Sequence, residues 1–282
     1  MDYGTPSGYE GRMRRGGGSF LGPRLWIGLA IVGFAFLSYQ CSTAYNPVTG
    51  EEQHIAIAPQ QEIALGLQAL PEMLAQYGGE HPDQQAQALV DEVGQRIVAR
   101  SDAAKTDWKF DFHLLADPQT INAFALPGGQ VFITAALLSK LKTEGELAGV
   151  LGHEVGHVVA RHSAQRMAKE QLTQGITGAV LVAAGGGGSE AQLAQMIGNM
   201  VNMKYGREDE LQSDTLGVRF MSEAGYDPRA MIAVQEILAA EAGGNAPPEI
   251  LSTHPSAPNR IHTIQEAIDL QFPNGVPAGL EP

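Results

Sequence analysis

The chain has 282 residues, of which 44% are hydrophobic, so it is long enough to bury the core of one sizeable domain. Its formal net charge of -13 argues against a nucleic acid as partner, because phosphate binding requires a basic surface. The single cysteine, Cys41, excludes an internal disulfide framework and a metal site built from thiolates.

The N-terminal part of the chain divides into three pieces by composition. Residues 1–24 are rich in glycine and arginine, and we expect them to form a disordered basic N-terminus. Residues 25–39 contain no charged side chain and predict a signal anchor or the core of a signal peptide. Residues 40–57 are interpreted as a linker.

The charges around this apolar segment predict its orientation. The arginines of the N-terminal region all precede it, and no lysine or arginine follows it before Arg96. By the positive-inside rule, the bulk of the chain is expected on the non-cytoplasmic side of a membrane. Retention of the segment as an anchor is favoured over the two alternatives, which are cleavage after Ala44 and lipidation of Cys41.

Residues 58–272 have the patterning of a folded domain, and residues 273–282 are expected to be a C-terminal tail. Apolar residues recur at three- and four-residue spacing in several segments. They predict helices at 59–77, 82–101, 190–204, 208–223, 228–241 and 258–270. Runs of β-type residues predict strands at 108–117, 121–126 and 130–134. The apolar run Ile176–Ala184 is too short to cross a bilayer and is interpreted as a helix end before a glycine-rich link.

The stretch "LAGVLGHEVGHVVARH" holds the first candidate site. His153 and His157 are four residues apart, so on a helix both imidazoles lie on one face and can bind one ion. Glu154 lies beside that face rather than on it. Because zinc accepts imidazole ligands, the spacing predicts the H-E-x-x-H site of zinc peptidases. The alternative is a core helix that carries a stray polar pair.

The stretch "REDELQSDTLGVRF" offers a third metal ligand. Glu210 and Asp214 are again four residues apart, which predicts that they share a helical face. In many metal sites one carboxylate binds the ion and a second accepts a hydrogen bond from a ligand histidine. By itself such an acidic run is more typical of a solvated surface, but the histidine pair upstream favours the metal site.

In combination these motifs resemble the HtpX, BepA and LoiP type of membrane-associated zinc endopeptidase. "HEVGH" and the acidic stretch carry the resemblance, together with "NPVTG", "NAFALPGG" and "STHPSAPNR", in the expected order. The resemblance implies an α+β, mostly helical, zincin-like metallopeptidase domain with a small β-sheet next to the HExxH helix. It also implies one zinc ion per chain, bound by His153, His157 and Glu210, and it places Asp214 behind the metal.

The late motif "STHPSAPNR" contributes two further candidates. His254 is expected near the zinc, where it either touches the metal in a closed state or stabilises the oxyanion. The alternative is that His254 only packs beside Pro255. Arg260 is expected behind the metal together with Asp214, where it braces the same loop. The other histidines have no partner at ligand spacing and are interpreted as structural or exposed: His54, His81, His113, His162 and His262.

The expected function is a zinc-dependent endopeptidase that hydrolyses exported or membrane-associated, unfolded or damaged proteins in the bacterial cell envelope. Glu154 is the expected general base. The substrate is expected to add as a strand beside Asn122, Ala123 and Phe124. The alternative is a chaperone-like or scaffolding protein that keeps the zinc site without efficient cleavage. A structural zinc module is disfavoured, because such sites are usually closed by cysteines.

Overall fold

The structure is a computed structural model and describes Met1 and residues 23–184, 205–243, 248–255 and 259–282. Its helices are α1 Pro23–Cys41, α2 Pro59–Gln76, α3 Gln84–Arg100, α4 Ala135–Leu138, α5 Glu144–Val159, α6 His162–Ala184, α7 Arg207–Glu223, α8 Ala230–Ala242, α9 Ile250–Thr253 and α10 Arg260–Gln271. Its strands are β1 Thr43–Asn46, β2 Glu51–His54, β3 Asp111–Leu115, β4 Ala123–Ala125 and β5 Gln130–Thr134. The predicted α+β, mostly helical class is confirmed. Most of the predicted disordered N-terminus, the glycine-rich link and the predicted helix at 190–204 lie outside the described residues.

The three-stranded sheet has the order β3-β5-β4, so β4 lies at an edge. Strands β3 and β5 are parallel, whereas β4 and β5 are antiparallel with Ala123 opposite Ile133. The turn between β4 and β5 requires glycine at Gly128, which has a φ of 84°. A Cβ atom there would lie 2.4 Å from the Cα of Ile63, so the turn also allows α2 to approach the sheet.

Helix α5 lies at the centre of the domain, and every residue from Gly145 to Val159 is buried. Its first turn is capped by Thr143, whose hydroxyl accepts a hydrogen bond from the backbone N–H of Glu146 at 3.1 Å. Helix α7 crosses α5 at Gly156, where a Cβ atom would lie 3.0 Å from the carbonyl oxygen of Ser213. This close approach brings the polar side chains of the two helices to one point.

The segment interpreted as a linker contains an antiparallel hairpin, β1–β2. The side chain of Asn46 donates a hydrogen bond to the carbonyl of Val159 at 2.7 Å, and that of Gln53 donates to the carbonyl of Ala160 at 2.9 Å. Residues 43–54 therefore belong to the folded domain, in contrast to the expectation of a free linker, because two buried amides tie them to the end of α5.

The C-terminal residues also pack against the domain. The carbonyl of Pro282 accepts a hydrogen bond from Gly145 N–H at 2.9 Å. The carboxylate of Glu281 pairs with the Arg96 guanidinium at 2.5 Å. The expected tail is therefore held against the start of α5, an arrangement that the proline- and glycine-rich sequence of this segment does not indicate.

Helix α1 has a different environment from the rest of the chain. It packs against α6, and among its residues only Gly28 is buried. Among the described helices, it is the one that is long and apolar enough to cross a membrane, judged by length and composition. Its exposed apolar side chains include Phe34 and Leu37.

Candidate metal centre and active site

Four buried side chains converge between α5, α7 and the end of α9, and we call this cluster the metal centre. It consists of His153, His157, Glu210 and His254, each of which offers one ligand atom. These four atoms all lie within 4.8 Å of one another. The two histidines come from one face of α5, as their spacing predicts, whereas Glu210 and His254 are brought to them by the tertiary fold.

The separations between the donor atoms of the metal centre suit a small tetrahedral ion. The Nε2 atoms of His153 and His157 are 3.0 Å apart, and they lie 3.6 and 3.5 Å from the carboxylate oxygens of Glu210. The Nδ1 atom of His254 lies 3.1 Å from Glu210 and 3.4 Å from His153. Ligands about 2.0–2.1 Å from a tetrahedral zinc ion would be about 3.3 Å apart. The donor set, three imidazoles and one carboxylate, is also one that zinc accepts.

Glu154 lies beside the metal centre with its side chain 1% exposed. Neither of its carboxylate oxygens has a hydrogen-bond partner among the described residues, and Oε1 lies 3.6 Å from Nε2 of His254. A buried carboxylate without donors is costly unless a polar group binds next to it. The orphaned carboxylate therefore fits a site that binds a metal ion together with a polar reactant.

Asp214 and Arg260 lie behind the ligand histidine His153. Nδ1 of His153 lies 2.9 Å from Oδ1 of Asp214, the arrangement that the helical spacing predicts. The Arg260 guanidinium binds Asp214 through Nε and Nη2, at 2.8 and 2.6 Å, and its Nη1 lies 3.0 Å from Glu210. Arg260 was expected behind the metal together with Asp214, as a brace for the late loop. It joins the two carboxylates of α7 and so neutralises part of their buried charge.

The electrostatic environment distinguishes the two histidines of α5. Burial lowers the pKa of His153, but its hydrogen bonds to Asp214 and Glu210 outweigh burial and raise the pKa to about 9. Burial holds the pKa of His157 well below its usual value. Burial also raises the pKa of Glu210, yet the charge of His254 and the bonds from both α5 histidines outweigh it and hold this pKa far below its usual range. Glu210 is therefore ionised and available to a cation at neutral pH.

His162, interpreted from the sequence as structural or exposed, is in fact a buried neighbour of the metal centre. Its Nδ1 lies 2.9 Å from Nδ1 of His157, and its Nε2 lies 2.8 Å from the side-chain oxygen of Gln212. The amide nitrogen of Gln212 donates to Glu51 at 2.8 Å, which fixes the orientation of that amide. Nε2 of His162 is then the donor and Nδ1 the acceptor. His157 consequently carries its proton on Nδ1 and presents a free Nε2 to the metal centre.

Tyr205 is a second neighbour that sequence reasoning missed. Its ring stacks on His157 at 3.9 Å between centroids, and it lies 5.0 Å from the ring of His254. Nothing in the spacing of the chain places it there, because it precedes α7 in a segment without periodicity. The "ARH" that follows "HEVGHVV" could have drawn attention to His162, since it adds a third histidine close to the motif.

The residues expected to bind substrate do not all face a cleft. The side chain of Asn122 is buried and donates hydrogen bonds to Tyr77 and Glu249, each at 3.1 Å. Ala123 is fully buried, and the half-buried ring of Phe124 stacks on Phe132. Asn122 and Ala123 are buried as whole residues, so the edge of β4 is covered at this point in this state.

The segment that carries His254 is fastened to the chain just before that edge strand. The backbone N–H of Ile250 donates to the carbonyl of Ile121 at 3.2 Å. The hydroxyl of Tyr77 donates to Glu249 at 2.5 Å. Burial, followed by the bond to Glu249, raises the pKa of Tyr77, so the hydroxyl keeps its proton. We call Tyr77, Asn122 and Glu249 the latch.

A mainly apolar pocket adjoins the metal centre on the side of α8. It is bounded by His153, Glu154, His254 and Arg260 at one end. The remainder of its wall includes apolar side chains from three helices: Val150, Met231, Val234, Leu238 and Ile250. The pocket can therefore hold an apolar side chain next to Glu154.

Comparisons with known proteins agree with this geometry. The family model of Peptidase family M48 matches residues 84–268, about two thirds of the chain. The chain is 33% identical over 248 residues to the mitochondrial metalloendopeptidase OMA1 of Schizosaccharomyces pombe, a match that covers 86% of this chain and 71% of the relative. It is 32% identical over 183 residues to the beta-barrel assembly-enhancing protease of Escherichia coli, covering 61% of this chain and 37% of the relative. These matches confirm the predicted resemblance, and the chain therefore belongs to peptidase family M48 and is a metalloendopeptidase.

Proposed function

We propose that this protein is a zinc-dependent endopeptidase that cuts unfolded or damaged proteins, exported or membrane-associated, in the bacterial cell envelope. The observation that carries the proposal is the buried, unpartnered carboxylate of Glu154 beside a metal centre of imidazole and carboxylate donors. A structural zinc site is closed and needs no free carboxylate, whereas hydrolysis needs a base next to the metal.

In this proposal His153, His157 and Glu210 hold the metal ion. Zinc bound there supplies a Lewis acid for the scissile carbonyl and lowers the pKa of a water molecule. Glu154 accepts the proton of the attacking water and returns it to the leaving amine. Its carboxylate has no competing donor among the described residues, so it is free for this proton.

The residues behind the ligands orient them. Asp214 accepts the Nδ1 proton of His153, and Arg260 holds Asp214 in place through two hydrogen bonds. His162 has the same function for His157, since it accepts the Nδ1 proton of that ring. Each ligand histidine thus has a partner that directs a free Nε2 toward the metal.

His254 lies where a fourth ligand would be. A catalytic site keeps that fourth position for water or substrate. We therefore interpret this arrangement as a closed state, in which the latch holds the His254 segment over the metal centre. His254 must leave when a substrate binds, and its imidazole can then stabilise the oxyanion from a short distance. Contact with the metal in a closed state and stabilisation of the oxyanion, the two roles considered for His254, both fit this order of events.

The substrate would bind mainly through its backbone. The edge of β4 at Asn122, Ala123 and Phe124 has no neighbouring strand among the described residues. Once the His254 segment moves and uncovers this edge, it would pair with an extended chain and give affinity with little sequence selectivity. The apolar pocket beside Glu154 would favour a hydrophobic side chain next to the scissile bond. Folded proteins bury both their strands and their hydrophobic side chains, so this combination selects unfolded chains.

The exposed apolar surface of α1 supports a membrane anchor, and the arginines that precede it support a catalytic domain on the non-cytoplasmic, periplasmic side. A reporter enzyme that is active only in the cytoplasm, fused after Pro282, is expected to give no signal. A strong signal would contradict this orientation. A position in the cell envelope agrees with the name of the Escherichia coli relative, a beta-barrel assembly-enhancing protease.

The function is tested by incubating the full chain in detergent with unfolded casein, with and without a zinc chelator. Glu154→Gln keeps the size of the side chain and removes the base, so zinc content should stay near that of the wild type while cleavage falls to background. Glu144→Gln, an exposed change at the start of the same helix, is the matched control and should cleave normally. If the wild type bound zinc and cleaved no unfolded protein, the scaffolding alternative would replace the enzyme.

A further inference from the structure

Helix α6 changes character along its length. Its first part, from His162, carries Arg166, Lys169 and Glu170. From Gln171 to Ala184 the helix contains no charged residue. The side chain of Ile176, in this second part, is 41% exposed. This second part begins with the polar residues Gln171, Thr173 and Gln174, so the apolar half of α6 is residues 175–184. Such an apolar half needs a covering surface.

The partner of this apolar half is α1. Helix α6 packs against α1, and a Cβ atom on Gly175 would lie 2.8 Å from the Cβ of Ala35. Small residues at such a contact allow two helices to approach closely, as they do within membranes. Ala35 belongs to the apolar segment of α1 that was predicted to be a membrane anchor.

The two helices are antiparallel, and both extend away from the same side of the domain. Helix α1 ends at Cys41, just before the hairpin, and α6 begins at His162, beside the metal centre. Their contact at Ala35 and Gly175 therefore leaves the distal parts of both helices side by side. At a rise of about 1.5 Å per residue, α6 continues for about 14 Å beyond Gly175 along the N-terminal half of α1.

The polar residues of α6 lie at the level where α1 enters the domain. Tyr39, near the end of α1, lines the same surface cleft as Arg166, Lys169 and Thr173. The same cleft is also lined by acidic residues, among them Glu170 and Asp209, so it is a charged, hydrated surface. A tyrosine at the boundary between such a surface and an apolar segment is typical of a membrane interface. The apolar half of α6 begins just beyond this level, on the side of α1 away from the domain.

The hydroxyl groups in this half of α6, and in the turn just before it, are satisfied within the helix itself. Thr173 donates to the carbonyl of Lys169, and Thr177 donates to the carbonyl of Thr173, each at 2.9 Å. Such bonds remove the need for water around the side chain and suit a helix in hydrocarbon, where an unpaired polar group is costly.

We propose that the apolar half of α6, residues 175–184, lies in the lipid bilayer beside α1, so that two helices embed this protein in the membrane. The proposal rests on the proposed anchor, because a helix packed along a bilayer-spanning partner lies at the same depth. The run at 176–184 was considered too short to cross a bilayer, but a helix packed against α1 does not have to cross it. Since α6 starts at His162, this helix connects the bilayer directly to the metal centre.

The test uses the full chain in vesicles of phosphatidylethanolamine and phosphatidylglycerol, with some lipids carrying a quencher on the acyl chain. In a Cys41→Ser background, single cysteines are placed by Ile176→Cys on α6, Phe34→Cys on α1 and Leu67→Cys on α2, and are labelled with a small fluorophore. All three positions are exposed in the structure. Casein cleavage by each labelled variant is measured to check that its domain is folded.

Quenching of the label at position 176 to the same degree as at position 34, with none at position 67, is the expected result. Quenching at position 34 alone would overturn the proposal and leave the anchor intact. Quenching at neither position would overturn both. Disulfide-linked dimers formed through the unlabelled Ile176→Cys variant, without quenching at that position, would show that a second copy covers α6, and would also overturn the proposal.

Discussion

Helices α5 and α1 are both rich in apolar residues, yet their environments are opposite. From Gly145 to Val159 every residue of α5 is buried, including His153, Glu154 and His157, whereas Gly28 is the one buried residue of α1. Polar groups are costly inside a protein and apolar side chains are costly in water. The buried polar groups of α5 therefore indicate chemistry, and the exposed apolar groups of α1 indicate a lipid surface.

This comparison predicts that changes in α5 act on catalysis and that changes in α1 and α6 act on membrane attachment. The largest effect is expected for His157→Ala. Loss of an imidazole donor at the metal centre should reduce zinc content and lower casein cleavage to background. His262→Ala, at an exposed histidine, is the control and should change neither quantity. Near-normal cleavage by His157→Ala would show that the metal is held elsewhere.

The second prediction concerns the residue behind the metal. Asp214→Asn removes the charge that orients His153 and leaves Arg260 paired with Glu210 but without the carboxylate that it binds through two nitrogens. Zinc affinity or activity should fall by about 10–100-fold without unfolding. Zinc titration in a competing chelator measures the affinity, and circular dichroism checks the fold. Unchanged affinity would reduce Asp214 to a structural ion-pair partner.

The third prediction compares two close helix crossings. Gly156→Ala places a methyl group 3.0 Å from the backbone of α7, where little can move, and should cost about 1–3 kcal/mol of stability. Gly175→Ala meets only the Cβ of Ala35 on α1, at 2.8 Å, so the two outer helices can separate. In thermal unfolding, Gly156→Ala should clearly lower the unfolding temperature. The zinc content of Gly175→Ala should be normal. A loss of zinc in this variant would show that the contact between α1 and α6 also supports the metal centre.

The fourth prediction concerns the latch. Glu249→Gln weakens the charge-assisted bonds from Tyr77 and Asn122 and should release the His254 segment more often. Because a hydrogen bond to a charged group contributes about 1.5–3 kcal/mol, basal casein cleavage should rise several-fold. Glu241→Gln, at the end of α8, is the control. Equal or lower cleavage by Glu249→Gln would mean that the latch only supports the fold.

Substitutions in α1 are expected to have the smallest effect on casein cleavage. The double variant Phe34→Ser, Phe36→Ser removes two exposed apolar side chains from α1. Retention in the membrane fraction after a high-salt wash should fall, because lipid binding scales with buried apolar area. Cleavage of casein in detergent should stay at the wild-type level. A parallel loss of both would show that α1 is needed for the catalytic fold.

The agreement between prediction and structure depends on distance along the chain. His153, Glu154 and His157 were placed by helical periodicity, and Glu210 with Asp214 by the same rule, since residues four apart share a face of a helix. The mostly helical class and the small sheet follow from patterns of similarly short range. The metal-ligand and base roles of these residues remain predictions until the variants above are measured.

What the sequence by itself determined is therefore the local geometry: which side chains share a helix face, and which chemistry that pairing allows. Tertiary structure alone decided that His162 and Tyr205 reach His157, that Arg260 joins Glu210 to Asp214, and that the expected linker and tail pack on the domain. It also decided that α6 lies along α1. The physical reason is that these contacts join segments far apart in sequence, and no local preference for φ and ψ or for apolar spacing specifies which distant segments will meet.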